Sequence, residues 1–402
     1  MCQNPAPMIS LSRYSKLLAL PYMRATIAAS IMGRLPVGIT SLAILLLTQE
    51  QTGSFGRAGA TTAGYYAGLA SVAPFIGRLI DRRGPRAILR TCGTVYPTAL
   101  AGLAAAIVVG FPVWLVLPLA AVAGATFPPI TVCMRTFLRR QLGDDVALAT
   151  AYSLESVLIE SLFIAGPMLV GLFVALGSAV WAVVFAAMSA AGGCLLFMRA
   201  PPLLDWRIEA RRTTSMFGPL SDRYFLRLLG VVLCYSMAFG LVEIGTTAFA
   251  SEAGTAALAG LLFGLMSVGS VLGGLAYGSR NWHKPLQHQF AIVLAVMGLG
   301  FTPLAATTAP SLFALFAVIA GIVMAPALTI QSMLIARSAL PEHSTEAFTW
   351  SATALLVGIG LGVAAGGALL ESGTSRLVLG AAAAAALTGG LGAAFGLKNF
   401  KQ

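Results

Sequence analysis

The sequence predicts an all-α polytopic membrane protein with twelve transmembrane helices in two pseudo-symmetric six-helix halves. Its composition, its long uncharged runs and the placement of its basic residues lead to this fold class. Of the 402 residues, 58% are hydrophobic and only 10% are charged, whereas about a quarter of a soluble domain is charged. Uncharged runs of 44, 38 and 52 residues cover 91–134, 161–198 and 285–336. Because a membrane-spanning helix needs about 20 apolar residues, each run is long enough to cross the bilayer twice.

Apolar segments separated by turn residues predict the twelve spans. In order they are 24–48, 58–80, 88–109, 113–134, 146–175, 179–198, 226–250, 255–279, 286–307, 311–336, 346–370 and 376–397. One long polar segment, which carries Pro201-Pro202, follows span 6. It predicts an N-terminal half at 1–198, a central cytoplasmic loop at 199–222 and a C-terminal half at 223–402.

The basic residues predict the orientation. Of the 25 Lys and Arg residues, 22 lie in or beside the two termini and the connections that follow even-numbered spans. The positive-inside rule then predicts a multi-pass protein of the cytoplasmic (inner) membrane with both termini in the cytoplasm. The net charge of +11 therefore reflects the orientation of the protein in the membrane and does not indicate nucleic-acid binding.

An internal repeat supports two related halves. Residues coincide at a nearly constant offset of 196 or 197 positions: Ala151 with Ala347, Gly166 with Gly362, Gly171 with Gly367, Gly124 with Gly321, and Pro129 with Pro326. Two halves that begin on the same side of the membrane are related by an axis along the membrane normal. This symmetry predicts a substrate site near mid-membrane, between the halves.

The connection after span 2 reads Gly77-Arg78-Leu79-Ile80-Asp81-Arg82-Arg83-Gly84-Pro85-Arg86. It resembles the signature loop of the major facilitator superfamily, G-x-L-x-D-R-x-G-x-R, at every defined position. The resemblance implies the twelve-span fold, secondary transport, and a loop that holds the outward-facing arrangement closed at the cytoplasm. The latch residues that it implies are Gly77, Asp81, Arg82, Gly84 and Arg86. The equivalent segment of the second half, 273–280, lacks the acid, so we expect an asymmetric latch.

Span 5 contains Gly166-Pro167-Met168-Leu169-Val170-Gly171. This segment is similar to part of the G-P-x-x-G-G motif of drug–proton antiporters in the superfamily, although only the Gly-Pro pair matches in full. A proline kink and a packing notch, formed by Gly166, Pro167 and Gly171, are the alternative. The Arg that such antiporters commonly carry in span 4 before a Gly is absent, since 119–123 contains only Leu, Ala and Val.

Four ionisable residues lie well inside the predicted spans: Arg34, Glu155, Glu160 and Glu243. A charge at the bilayer centre costs about 2.5–3.5 kcal/mol, so each of them needs a partner. Spans 1 and 5 are neighbours in the superfamily, which predicts an ion pair between Arg34 and either Glu155 or Glu160. The two glutamates are about 140° apart around a helix and cannot share one partner.

Glu243 in span 7 is the leading candidate for proton coupling, followed by Glu160 and Glu155. No basic residue lies deep in a span of the second half to neutralise it. An apolar surrounding favours the protonated carboxyl, and span 7 lines the central cavity in the superfamily. Substrate recognition and a structural role are the alternatives. Further cavity candidates, each of which can equally be a packed helix residue, are Arg34, Tyr235, Ser236, Gln331, Tyr65 and Tyr66.

Taken together, these features predict a secondary active transporter of small organic molecules that works by alternating access, with proton-coupled efflux (antiport) as the leading hypothesis. The alternatives are transport of an anionic or sugar-like metabolite recognised by Arg34 and, more remotely, a non-transporting membrane scaffold. No G-x-x-x-x-G-K-[ST] loop occurs, and no constellation of nucleophile, base or metal ligands indicates an enzyme. We expect a monomer without cofactor, metal or nucleic acid, whose partners are its substrate, protons and the lipid bilayer.

Overall fold

A computed structural model describes residues 11–142, 145–200, 203, 218–278, 282–338 and 344–397. The described chain is helical throughout, without strands. Within it, ten helical segments are long and apolar enough to cross a membrane. The two further spans, Phe55–Arg83 and Asp145–Ala175, are helices of 29 and 31 residues. The predicted class, an all-α membrane protein of twelve spans, is confirmed.

The spans follow one another in the predicted order. Spans 1 to 6 form the N-terminal half: Met23–Arg34 with Pro36–Thr52, Phe55–Arg83, Pro85–Val109, Val113–Ala125 with Ile130–Gln141, Asp145–Ala175, and Ala179–Met198. Spans 7 to 12 form the C-terminal half: Arg223–Glu252, Leu258–Gly278, Leu286–Ala306, Pro310–Gly321 with Met324–Ser338, Ser344–Leu370, and Ser375–Gly396. The predicted central loop, 199–222, lies mostly outside the described residues, so the half boundaries stay a prediction.

Three spans that were predicted as continuous helices are interrupted, and proline explains each break. Span 1 is divided at Leu35, directly before Pro36. Span 4 is divided over 126–129, which contains Pro128-Pro129, and span 10 at 322–323, shortly before Pro326. A proline has no N–H to donate to the carbonyl four residues earlier, and its ring crowds that carbonyl. Since Pro129 and Pro326 coincide in the repeat, spans 4 and 10 break at equivalent positions.

A short helix that the sequence analysis did not predict precedes span 1. It covers Leu11–Ala19, and Leu17 is buried in the N-terminal half. Tyr22, which joins it to span 1, has a left-handed backbone with φ 65°. The nine residues are too few to cross a bilayer, so this helix leaves the span count unchanged.

Matched glycines allow equivalent helix pairs to pack closely in the two halves. A methyl group at Gly124 of span 4 would clash with the backbone of Tyr65 in span 2. A methyl group at Gly321 of span 10 would likewise clash with the backbone of Met266 in span 8. Small residues let membrane helices approach at the backbone, and here the repeat preserves that contact in both halves.

Each half also contains, at the same face of the bundle, a carboxylate that accepts a hydrogen bond from the start of its last helix. Glu50, near the end of span 1, accepts a hydrogen bond from the Ala179 N–H at the start of span 6, at 3.1 Å. Glu252, at the end of span 7, accepts one from the Ser375 N–H at the start of span 12, at 2.8 Å. A carboxylate that accepts from the first N–H groups of a helix satisfies donors that the helix itself cannot.

We call the face that carries the connection between spans 2 and 3 the basic face, since the sequence concentrates Lys and Arg there. The other is called the opposite face. The halves meet where span 2 packs on span 11 and span 5 packs on span 8. A methyl group at Gly59 would lie 2.6 Å from the Val363 carbonyl oxygen, and one at Gly171 would lie 2.7 Å from that of Ala257. Both contacts lie toward the opposite face, where the halves therefore touch at the backbone.

Candidate transport cavity

A cavity of about 280 Å³ lies between the halves near the middle of the spans. Its volume is near the lower end of the roughly 300–1,000 Å³ that small-molecule pockets occupy. Both halves contribute to its wall: Val37, Gly38, Ser41, Leu42, Tyr66, Phe163 and Pro167 from one, and Phe239, Val242, Glu243, Phe263, Met266, Ser267, Ser270, Met324, Leu328, Leu355 and Ile359 from the other. The predicted place of the substrate site, near mid-membrane between the halves, thus contains a cavity.

Glu243 is the single carboxylate among the described residues of the cavity wall, and none of those residues is Lys, Arg or His. The Tyr66 hydroxyl, from the other half, donates a hydrogen bond to Glu243 Oε2 at 3.1 Å. The second oxygen, Oε1, is buried and has no hydrogen-bond partner among the described residues. The Ser41 hydroxyl lies near this carboxyl without meeting hydrogen-bond geometry to Oε1. Glu243 therefore has acceptor capacity that a proton or a ligand can use.

The rest of the wall is mainly apolar and polarizable. Three phenylalanines and two methionines line it: Phe163, Phe239, Phe263, Met266 and Met324. Aromatic faces attract cations, and Met side chains adapt to ligands of different shape. Sequence reasoning did not identify these residues, because Phe and Met in an apolar span look the same whether they face lipid, a core or a cavity.

Arg34 lies away from this cavity, inside the N-terminal half. Its Nη2 atom forms an ion pair with Glu155 Oε1 at 2.8 Å, and the two side chains are 3% and 4% exposed. The predicted pairing of Arg34 with a span 5 glutamate is therefore present, with Glu155 as the partner. A cavity of about 10 Å³ beside the pair has room for one water molecule. The Glu160 side chain lies outside the described residues.

Four other candidates are buried within the two halves instead of lining the cavity. The Tyr235 hydroxyl bonds to Gln331 Oε1, and Gln331 Nε2 donates to Ser351 Oγ at 2.7 Å, which links spans 7, 10 and 11. Ser236 donates to the Leu233 carbonyl of its own helix. Tyr65, 4% exposed, is part of the N-terminal core. Of the six predicted cavity candidates, only Tyr66 lines the cavity.

The span 5 segment similar to the antiporter motif lies at two helix contacts. Gly166 packs against Gly38 of span 1, and a methyl group on it would lie 2.7 Å from the Gly38 Cα atom. Gly171 packs against Gly260 of span 8, and Pro167 lines the cavity. These residues therefore allow span 5 to pack closely against both span 1 and span 8 of the C-terminal half.

On the basic face, the halves are joined by an ion pair that the sequence did not predict. Arg78 Nη2 lies 3.1 Å from Glu346 Oε1, and their side chains are 36% and 12% exposed. Arg78 occupies an undefined position of the signature. Glu346 lies in the first turn of span 11, where the helix dipole by itself favours an acid, so neither residue indicates an ion pair in the sequence.

Among the predicted latch residues, Gly77 lies within span 2. Gly84, with φ 76°, ends span 2, and Arg86 is exposed at the start of span 3. The side chains of Asp81 and Arg82 lie outside the described residues.

At the opposite face, Glu371 joins the halves where span 11 ends beside the start of span 2. Its Oε1 atom accepts hydrogen bonds from the Ser54 hydroxyl at 2.6 Å and from the Gly56 N–H at 2.8 Å. The bonds from Ser54 and Gly56, in that order, lower the pKa of this exposed carboxyl below its ordinary value. The sequence analysis did not single out Glu371, because an acid in a short polar turn is usually solvated.

Comparison with known proteins agrees with this architecture. The sequence matches the profile of the Major Facilitator Superfamily over residues 26–307. The nucleoside transporter NupG superimposes with a TM-score of 0.72 and 14% identity, covering 94% of this chain and 100% of that one. The human organic anion transporter MFSD10 (TETRAN) superimposes with a TM-score of 0.62 and 17% identity, covering 92% and 99%. No curated protein matches the sequence.

A polytopic bundle of this topology, with a cavity between its halves, defines a transporter. The chain belongs to the Major Facilitator Superfamily, and it is a transporter of small molecules. At these identities the two solved structures support the fold and leave the substrate open.

Proposed function

We propose that this transporter exports small lipophilic organic molecules, cations in particular, in exchange for protons that bind to Glu243. The position of Glu243 carries the proposal, since the carboxyl lies in an apolar cavity between the halves and holds one oxygen without a partner. Ionisable groups at membrane depth commonly mark proton relays and ion pathways.

The cavity wall supports this substrate class. A cation needs a negative or π-rich surrounding once it leaves water, and Glu243 together with three phenylalanines offers both. No described basic side chain lies there to attract an anion. The alternative in which Arg34 recognises an anionic or sugar-like metabolite requires Arg34 to face the cavity, and its ion pair with Glu155 does not favour this.

Glu243 and Tyr66 act together in this proposal. The Tyr66 hydroxyl stabilises the carboxylate by donating to it from the other half. Protonation of Glu243 removes its negative charge and so weakens its attraction for a bound cation. Proton and substrate then occupy the site in turn, which is what an antiporter requires. Alternating access proceeds without chemical change of the substrate, so neither a catalytic residue nor a cofactor is part of the proposal.

The test is accumulation of fluorescent lipophilic cations in cells that lack their main efflux pumps. We expect cells that express the protein to accumulate less dye, and we expect a protonophore or Glu243→Gln to abolish the difference. Glu50→Gln is the matched control, because Glu50 accepts its bonds at the opposite face, away from the cavity. Equal accumulation in all cells, with the protein present in the membrane, would contradict cation export.

A further inference from the structure

Four buried threonine and serine hydroxyls in spans 2 and 7 have no hydrogen-bond partner among the described residues. They belong to Thr61 and Thr62 in span 2 and to Thr246 and Ser251 in span 7. The three threonine side chains are 0% exposed. Most threonines and serines in membrane helices avoid this situation by donating to a carbonyl of their own helix, as Thr48 does to Ile44. A buried hydroxyl that makes no such bond is usually bonded to an ordered water molecule.

These hydroxyls lie between Glu243 and the opposite face. At 1.5 Å per residue, Glu243 lies about 14 Å from the end of span 7, Thr246 about 9 Å and Ser251 about 2 Å. Thr246 and Ser251 follow Glu243 by three and eight positions, which places them about 60° to one side of Glu243 and about 80° to the other around the helix.

Span 2 presents a matching set. Tyr66, which bonds to Glu243, lies about 16 Å from the start of the span. Thr62, four positions earlier on the same side of the helix, lies at about 10 Å. Thr61, four positions before Tyr65, lies on the side of the helix that Tyr65 presents to the N-terminal core. The hydroxyls of the two spans therefore lie at a common depth. Along each helix axis, successive side chains of this set are about 5–7 Å apart, a distance that one or two hydrogen-bonded water molecules can bridge.

The parts of spans 2 and 7 that lie between Glu243 and the basic face differ in this respect. There, Ser71 donates to the Gly68 carbonyl at 2.7 Å, and Ser236 donates to that of Leu233 at 3.1 Å. Tyr235 bonds to Gln331. The threonine and serine hydroxyls without partners thus lie on one side of Glu243 only.

We propose that the hydroxyls of Thr62, Thr246 and Ser251 hold a file of water molecules that carries protons between the opposite face and Glu243. This inference rests on the proposed role of Glu243 in proton coupling. A proton enters the file from a hydronium ion at the opposite face, passes along the waters by exchange of hydrogen bonds, and converts the Glu243 carboxylate to the acid. The file works while Glu371 and the glycine contacts keep the halves together at that face.

The experiment measures how fast the Glu243 proton exchanges with deuterium. The protein, with its five cysteines replaced by alanine, is cross-linked between Ser54→Cys and Glu371→Cys by a short bismaleimide, which keeps the opposite face closed. It is then exposed to D2O in vesicles. The carbonyl stretch of the protonated Glu243 side chain shifts on deuteration, and Glu243→Gln identifies the band.

We expect Thr62→Val and Thr246→Val each to slow the exchange by about tenfold or more, because each removes a hydroxyl that positions a water. Thr48→Val is the control, since its hydroxyl is buried but bonded to its own helix, and we expect less than a twofold change. Equally fast exchange in Thr62→Val and Thr246→Val overturns the water file and leaves proton coupling at Glu243 intact. A band that is absent at every pH overturns the coupling itself, and the file with it.

Discussion

The buried Arg34–Glu155 pair predicts that its two single substitutions lower the stability of the protein by unequal amounts. A guanidinium stays charged in proteins, whereas a carboxyl can take up a proton when its partner is lost. Glu155→Leu therefore leaves a buried positive charge, and Arg34→Met leaves a group that can become neutral. Both side chains are at most 4% exposed, and the cavity beside them has room for only one water molecule, so water replaces the missing partner only in part.

Breaking a buried ion pair on one side costs about 3–5 kcal/mol of the free energy of unfolding. For a six-helix half of about 180 residues, with a change of roughly 2–4 °C per kcal/mol, Glu155→Leu should lower the thermal midpoint by roughly 6–20 °C. Arg34→Met should lower it less. The double variant should come back close to the native midpoint, because apolar side chains of similar size replace such pairs at little cost.

The assay is thermal unfolding of the purified protein in detergent, with dye export by the same variants in cells. A midpoint for Glu155→Leu within about 2 °C of the native value would refute the reasoning, as would a double variant no more stable than Glu155→Leu. A double variant that is stable but does not transport would assign Arg34 a role in transport and would favour the metabolite alternative.

Three further predictions concern the helix contacts. Glu371→Gln should weaken the closure of the opposite face and raise thiol labelling of a cysteine placed there. Because hydrogen bonding lowers the Glu371 pKa in the closed arrangement, native closure should be constant across neutral pH and be lost only in acid, which labelling against pH would show. Gly124→Ala should destabilise the protein by about 1–3 kcal/mol in thermal unfolding, whereas Gly102→Ala, with no atom within 4 Å of the added methyl, should not. Arg78→Glu and Glu346→Arg should each increase labelling at the basic face, and the exchanged pair should restore the native level.

The sequence predicted the fold well because membrane helices leave strong signals. Apolar runs of sufficient length, together with the turn residues that separate them, position most spans to within a few residues. What these signals cannot show is a break inside an apolar run, as at Pro129 and Pro326. The glycine and proline matches of the repeat did contain that information, since equal positions in two halves imply equal packing.

The site was harder to predict, because depth along a helix does not determine which side of the helix a residue occupies. Tyr65 and Tyr66 are neighbours in sequence and equal in depth, yet one lies in the N-terminal core and the other bonds to Glu243. Ionisable residues were more informative. The cost of an unpaired charge at that depth required a partner for Arg34, the resemblance to the superfamily implied that it lies on span 5, and the structure contains that pair.

The contacts between the halves differ at the two faces, and the difference bears on how the proton reaches Glu243. At the basic face, the described ion pair of Arg78 and Glu346 is partly exposed, and such pairs contribute about 0–1 kcal/mol. At the opposite face, glycines bring the backbones of the halves together, and Glu371 adds two hydrogen bonds across them. Of the described contacts, those at the basic face are thus the easier to break, so we infer that this arrangement opens first toward the basic face. A proton from the opposite face must then cross closed packing to reach Glu243. Water held by hydroxyls that have no other partner is a route through such packing, and a route too narrow for the substrate keeps the proton and the substrate on separate paths.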